Sequence, residues 1–193
     1  MAADPPARRQ IDDLHTVGST TDASRGWLFF DLVLAHAGTP RTDATAAALK
    51  ELHGYHTASN LWEYVPQGVV SAMEALRARA LRLVVVSNAN GTLRAHCDRL
   101  GLTAHFDHVL DSADEGVEKP DPRFFEIALA RSGARRETTI HVGDLYHVDV
   151  MGARGAGLRG VLVDEADLRP DADCPRVRSV AELAQRIGAG DFD

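Results

Sequence analysis

The sequence predicts an α/β protein, a doubly wound parallel sheet preceded by an all-helical segment. Three observations carry this. From residue 68 onward, strand-like and helix-like patterns alternate with short links. The run Val84-Val85-Val86 is β-branched throughout, as a strand buried on both faces of a parallel sheet requires. Residues before 68 show helical spacing and no clear strand. The expected organisation is a helical region over residues 1–66 and an α/β core over residues 67–193.

Taken in order, Ile11-Asp12-Asp13-Leu14 fits a short helix, and residues 17–24 form a loop rich in capping residues. Trp27, Phe30 and Leu34 recur at helical spacing, so a buried helix is expected over residues 27–37, closed by Gly38 and Pro40. Thr42 or Asp43 caps a second helix, which Gly54 should end after His53. Residues 60–66 are an aromatic connector. A helix over 68–80 places Val69, Met73, Leu76 and Ala80 on one face, and a strand over 82–88 follows. Ala80 stands where the turn between them favours glycine, which implies stored strain.

Next come a helix over 91–100 stopped by Gly101 and a short strand over 106–110. The helix Pro122–Ser132 has proline at its first position and Gly133 just past its end. A strand Ile140–Gly143, a helix over 148–156, a strand over 160–163 and a helix over 180–187 complete the core.

Composition bounds the function. Lys and Arg number 21 against 28 Asp and Glu, a formal charge of −7, and the arginines are scattered, so no nucleic-acid partner is expected. With two cysteines and no C-x-x-C, neither a disulfide framework nor a zinc knuckle is indicated, and Cys97 fits a small buried residue. No apolar run reaches membrane-spanning length, and the N-terminus lacks the apolar core of a signal peptide. A soluble, cytoplasmic protein is expected.

The candidate chemistry lies at strand ends, where open parallel sheets bind ligands. Ser87-Asn88 closes one strand, and its hydroxyl and neighbouring backbone N–H groups can hold an anionic oxygen. Asp144 closes another, and a tight loop brings Asp149 back towards it. Lys119 stands in Glu118-Lys119-Pro120-Asp121-Pro122, a loop stiffened by two prolines. A hydroxyl, an ammonium and two carboxylates able to hold Mg²⁺ suit a phosphoryl group, whose transfer needs mainly positioning and charge neutralisation. Singly, each has a plainer explanation: Ser87 as a strand-end cap, Lys119 as a solvated lysine, Asp149 as a helix cap. Their order and spacing favour the joint function.

Other features read as structural. His53 and His56 have ligand-like spacing, but a helix-ending Gly54 is expected between them. Residues 152–157 echo a dinucleotide loop, yet small residues inside a helical stretch better permit close packing. His141 and His147 flank the acids and could tune them, with core or surface roles as the plainer alternative. Trp27, Trp62 and Tyr64 could line a substrate mouth or form a local core.

Residues 84–91, 118–125 and 141–149 together resemble the second, third and fourth motifs of the haloacid dehalogenase (HAD) superfamily. The resemblance covers roughly residues 66–187 and implies the Rossmann-like sheet of that family, with the helical first third resembling its α-helical cap. It further implies a phosphatase acting on a small phosphorylated molecule. Ser87 and Asn88 would bind the phosphoryl group and Lys119 would neutralise it. Asp144 would ligate Mg²⁺, with Asp149 supporting the metal or its waters.

The family's first motif, a strand ending in Asp-x-Asp-Gly-Thr that supplies the nucleophile, is not found. Asp31 in Leu28-Phe29-Phe30-Asp31-Leu32-Val33 is disfavoured, because Val33 replaces the second Asp and the spacing is helical. In the family that strand lies between those ending at Ser87 and Asp144, so a gap is expected there. Two expectations follow: an N-terminally shortened phosphohydrolase, inactive as written, or a non-catalytic protein that binds phosphate, metal or a partner. A metal-independent dehalogenase is a weaker alternative.

Overall fold

The structure, a computed structural model, describes residues 22–192, without the side chains of residues 22–27 and residue 29. The expected helix at 11–14 and the start of the loop after it lie outside the described residues, as does the side chain of Trp27. The chain divides into two compact units, Met1–Trp62 and Glu63–Asp193.

The first unit holds α1 (Asp22–His36) and α2 (Asp43–Ser59). A capping box opens α2: Thr45 N–H donates to Thr42 Oγ1 at 3.2 Å, and Thr42 N–H donates to Thr45 Oγ1 at 2.8 Å. The helix runs through Gly54 to Ser59, past the expected stop. One interior glycine costs only about 1 kcal/mol relative to alanine. The chain turns instead at Asn60, where φ reaches 67° and the backbone N–H bonds to the carbonyl of His56. His56 accepts the Leu61 N–H on Nδ1 at 3.3 Å and meets Phe30 and Trp62 edge-on. It serves a local aromatic cluster.

The second unit alternates strands and helices. Its elements are α3 (Val69–Ala78), β1 (Val84–Ser87), α4 (Leu93–Arg99), β2 (His108–Asp111), α5 (Ser112–Glu115), α6 (Pro122–Ser132) and β3 (Ile140–Gly143). A π-turn (Tyr146–Val150), α7 (Met151–Gly155), β4 (Arg159–Val163), β5 (Arg176–Val177) and α8 (Val180–Ala189) follow. The core is built on Leu110, Phe124, Phe125, Val150, Val161, Leu162 and Val177, all fully buried. Ala80, between α3 and β1, has φ of 59°, which bears out the strain expected there. Cys97 is buried in α4, and burial raises its thiol pKa, as suits an inert core residue.

Two departures from the expected elements matter. The helix expected over 148–156 begins as the π-turn, whose wider coil curls Asp149 back under β3; its N–H donates to the carbonyl of Leu145 at 2.7 Å. The two-residue β5 was not expected, being too short to carry a pattern.

All strand pairs are parallel: Ser87 faces Asp111 in the β1–β2 register, and Gly143 faces Leu162 in the β3–β4 register. Among the described residues the strands form two separate sheets, β1–β2 and β3–β4–β5. β1 and β3 each have a strand partner on one edge only, and every residue of both is half-buried.

Candidate active site

The site gathers around the loop between α5 and α6. Two side chains hold Lys119 from opposite directions. Asn88, just after β1, clamps its backbone: the Lys119 N–H donates to Asn88 Oδ1 at 2.8 Å, and Asn88 Nδ2 donates to the Lys119 carbonyl at 2.9 Å. Asp149, after β3, holds its charge: Lys119 Nζ lies 2.7 Å from Asp149 Oδ1. The peptide from Lys119 to Pro120 is cis. Asp121 then caps α6 by accepting the Arg123 N–H at 2.9 Å, with Pro122 at the first helical position. The lysine is 8% exposed, so the solvated alternative does not apply.

Asp149 is 3% exposed, and three donors satisfy it. Oδ2 accepts the Leu145 N–H at 2.9 Å, while Oδ1 accepts both Lys119 Nζ and, at 3.1 Å, His141 Nε2. Burial pushes its pKa up, but the Lys119 charge and the bonds from His141 and Lys119 outweigh it, leaving the carboxyl well below the usual range. Burial dominates for His141 and holds its imidazole below the ordinary histidine pKa, towards the neutral form.

Two glycines make this convergence possible. A Cβ at Gly143 would lie 2.1 Å from Cγ of Asp149, so only glycine lets the carboxylate lie against the strand end. A Cβ at Gly152 would lie 3.0 Å from both the Phe125 ring and Cα of Pro120, so this glycine seats α7 against the lysine loop. The small residues after Asp149 thus permit close packing.

The loop after β1 is shaped by the end of β2. Asp111 Oδ2 accepts the N–H groups of Gly91 and Leu93 at 2.9 and 3.1 Å, and Ser112 Oγ accepts the Ala89 N–H at 2.9 Å. Sequence reasoning missed both residues; the signal was available in Asp-Ser placed, like Ser87-Asn88, at the end of a strand. Ser87 is half-buried, with its hydroxyl 3.5 Å from the Asn88 carbonyl. Asp144 is exposed directly after β3.

The structure therefore brings Asn88, Lys119, Asp149 and His141 into one bonded network, with Ser87 and Asp144 at the adjoining strand ends. Asp31 belongs to the first unit. It lies within α1, 2.9 Å from Arg41, and not at a strand end.

Among the described residues no group of three or more His, Cys, Asp or Glu side chains converges as a metal cage. Both oxygens of Asp149 are engaged, and Asp144, directly after β3, is exposed. One carboxylate with water and phosphate oxygens is a donor set that Mg²⁺ accepts, so the residues fit it as a sparse site.

Comparison with known proteins agrees with this architecture. The family model for haloacid dehalogenase-like hydrolases matches residues 31–157. The haloacid dehalogenase-like hydrolase domain-containing protein 3 of Homo sapiens is 36% identical over 158 residues, covering 80% of this chain and 61% of that protein. The ribulose-1,5-bisphosphate 5-phosphatase of Halopiger xanaduensis is 33% identical over 172 residues, covering 86% and 70%. The chain spans 56–62% of the length of the mouse, bovine and human relatives it matches. Among solved structures, the HAD-hydrolase YfnB from Bacillus subtilis, bound to magnesium, superposes with a TM-score of 0.69 at 21% identity, covering 96% of this chain and 83% of that one; the likeness is one of fold. A family match over most of the second unit, together with a relative covered over more than two thirds of its length, establishes that the chain belongs to the haloacid dehalogenase-like hydrolases.

Proposed function

We propose that the chain binds the phosphoryl group of a small phosphorylated molecule at the carboxyl ends of β1 and β3, as a member of a phosphate-monoester hydrolase lineage. The observation that carries this is the fixation of Lys119. Its backbone is clamped by Asn88 and its ammonium by Asp149, so a buried cation is oriented before any ligand arrives. An ammonium has three N–H donors, and one bond to Asp149 leaves donors for phosphoryl oxygens. Ser87 Oγ and the Asn88 backbone N–H would complete the oxyanion contacts. Asn88 acts on the ligand through Lys119 and through its own backbone. Mg²⁺ held by Asp144 would add neutralisation of phosphoryl charge.

The chemistry of this lineage needs a carboxylate nucleophile. Asp144 is assigned to the metal and Asp149 to Lys119, while Asp31 is a helical residue paired with Arg41. None of these three serves that role, so phosphate binding without turnover of generic esters is the outcome expected of the described residues. Among the described residues β1 and β3 each pair with a strand on one edge only, which favours this second, non-catalytic form of the proposal.

The test is a titration of inorganic phosphate with and without Mg²⁺, beside phosphate release from a panel of monoesters. Binding that is lost in Lys119→Met, without ester turnover, supports a phosphoryl-binding protein. Mg²⁺-dependent hydrolysis that vanishes in Asp144→Asn, with contaminants excluded, makes the chain a working phosphatase. Failure to bind phosphate in any form overturns the site.

A further inference from the structure

We propose that His141 is a positioning residue for the Lys119 ammonium, acting through the oxygen of Asp149 that the two share. This rests on the phosphoryl-binding role of Lys119. The geometry is a three-centre arrangement: Asp149 Oδ1 receives Lys119 Nζ at 2.7 Å and His141 Nε2 at 3.1 Å. An ionised carboxylate oxygen only accepts, so Nε2 carries the proton of that bond. With the Leu145 N–H on Oδ2, Asp149 is held by one charged and two neutral donors.

The imidazole is itself pinned. His141 lies in the middle of β3, between Ile140 and Val142 and in register with Gly160 of β4. Its ring meets Phe125 edge-on, with centroids 4.9 Å apart and planes at 88°. Phe125 is 1% exposed and belongs to α6, the helix that begins just after the lysine loop. The ring is thus braced by the helix that follows the Lys119 loop, while its Nε2 braces the counter-ion of Lys119. A polar side chain inside a strand otherwise built for burial is costly unless bonded, and this bond answers that cost.

The consequence concerns where the ammonium points. Without His141, Asp149 would be held by the Leu145 N–H on Oδ2 and by Lys119 alone on Oδ1, and that oxygen would draw the ammonium more fully onto itself. A second donor on Oδ1 tightens the hold on that oxygen and shares its negative charge. The ammonium then stays aimed where its other N–H groups can meet a phosphoryl oxygen.

The experiment compares the full chain with three variants. His141→Phe keeps a ring against Phe125 and removes the donor; His141→Gln keeps a donor and removes the ring; Lys119→Met reports the anion site itself. Each is titrated with inorganic phosphate, and the ¹⁵N resonance of the Lys119 ammonium is recorded without ligand. The expected result is phosphate affinity weakened roughly tenfold or more in His141→Phe, in line with the loss of a supporting hydrogen bond, and largely restored in His141→Gln. The Lys119 resonance should shift in His141→Phe and return towards its original position in His141→Gln. Unchanged affinity and resonance in His141→Phe would overturn the proposal, as would equal losses in the Phe and Gln variants. If the unmodified chain binds no phosphate, the anion-site reading fails, and the ammonium resonance alone decides the role of His141. Should His141→Phe not fold, His141→Leu takes its place under the same criteria.

Discussion

Gly143 and Asp149 lie so close that no side chain could stand between them: a Cβ on residue 143 would fall 2.1 Å from Cγ of the carboxylate. The φ of Gly143 is not in the left-handed region, so the demand for glycine is one of space. Gly143→Ala should drive Asp149 off the strand end and leave the buried ammonium of Lys119 poorly paired. Overpacking of this kind costs about 1–3 kcal/mol, and more where the displaced group is an ion partner. Denaturant unfolding should show this loss, and phosphate affinity should fall with it. A variant with full stability and affinity would show that Asp149 has another place to go.

The strained turn before β1 gives a prediction of opposite sign. Ala80 has φ of 59°, a conformation costing alanine roughly 1–2 kcal/mol and glycine almost nothing. Glycine also brings extra freedom to the unfolded chain, which offsets about 0.4–1 kcal/mol of that gain. Ala80→Gly should therefore stabilise modestly, by up to about 1 kcal/mol, read as a higher denaturant midpoint at unchanged slope. Destabilisation would mean that the methyl group contributes packing that outweighs the strain.

How much of this could be read from the chain depends on how local each determinant is. Pro122–Ser132 and Ile140–Gly143 took their expected bounds, because a first-turn proline, a glycine just past the helix end and a short apolar run ending at Gly143 are local signals. The end of α2 was misplaced because Gly54 resembles a stop that one glycine is too weak to impose. The π-turn was hidden because apolar spacing does not distinguish it from an α-helix. In the site, residue types and spacing pointed to Lys119 and Asp149, but not to what they touch. The Asn88 clamp joins residues 31 positions apart and the His141 bond joins residues 8 apart, and neither leaves a local pattern. Asn88 looked like a ligand contact, whereas its amide is occupied by the lysine backbone.

Acid should weaken the fold through carboxylates with depressed pKa values. Asp164, at the end of β4, accepts N–H groups of Leu168 and Arg169 at 2.8 and 3.0 Å and pairs with Arg176 at 2.9 Å. Burial raises its pKa, but these bonds outweigh it and the net shift is downward, as it is for Asp149. A depressed folded pKa means the unfolded chain takes up protons first. The stability these groups contribute is therefore intact above the unfolded value of about 3.9 and is lost as pH falls through the folded values. The carboxylate contribution should fall only below about pH 4, whereas His141, held below the ordinary histidine pKa by burial, should cost stability already as pH drops below about 6.5. Asp164→Asn should be less stable at pH 7 and should lose less on acidification. Equal acid slopes in the two proteins would remove Asp164 from the explanation.

The two separate sheets make a prediction about backbone protection. In a parallel ladder the N–H and C=O groups of each strand point alternately to its two edges. β4 has β3 on one side and β5 on the other, whereas among the described residues β1 and β3 have a strand on one side only. Backbone groups on an unpaired edge must bond to water or to side chains, and exchange from such positions needs little or no opening of the fold. Amides of β1 and β3 that do not face β2 and β4 should exchange orders of magnitude faster than those of Val161 and Leu162. Inorganic phosphate should slow exchange at the strand ends around Asn88 and Leu145 while leaving the open edges fast, because a phosphoryl ligand meets the carboxyl ends of the strands and not their flanks. Slow exchange along the whole of β1 and β3 in the free protein would show that something pairs with those edges in solution. Open edges and a ligand-protected lysine network would instead mean that a half-open sheet can keep its anion site assembled, with Asn88 and Asp149 supplying across the lysine loop the connection that strand pairing does not.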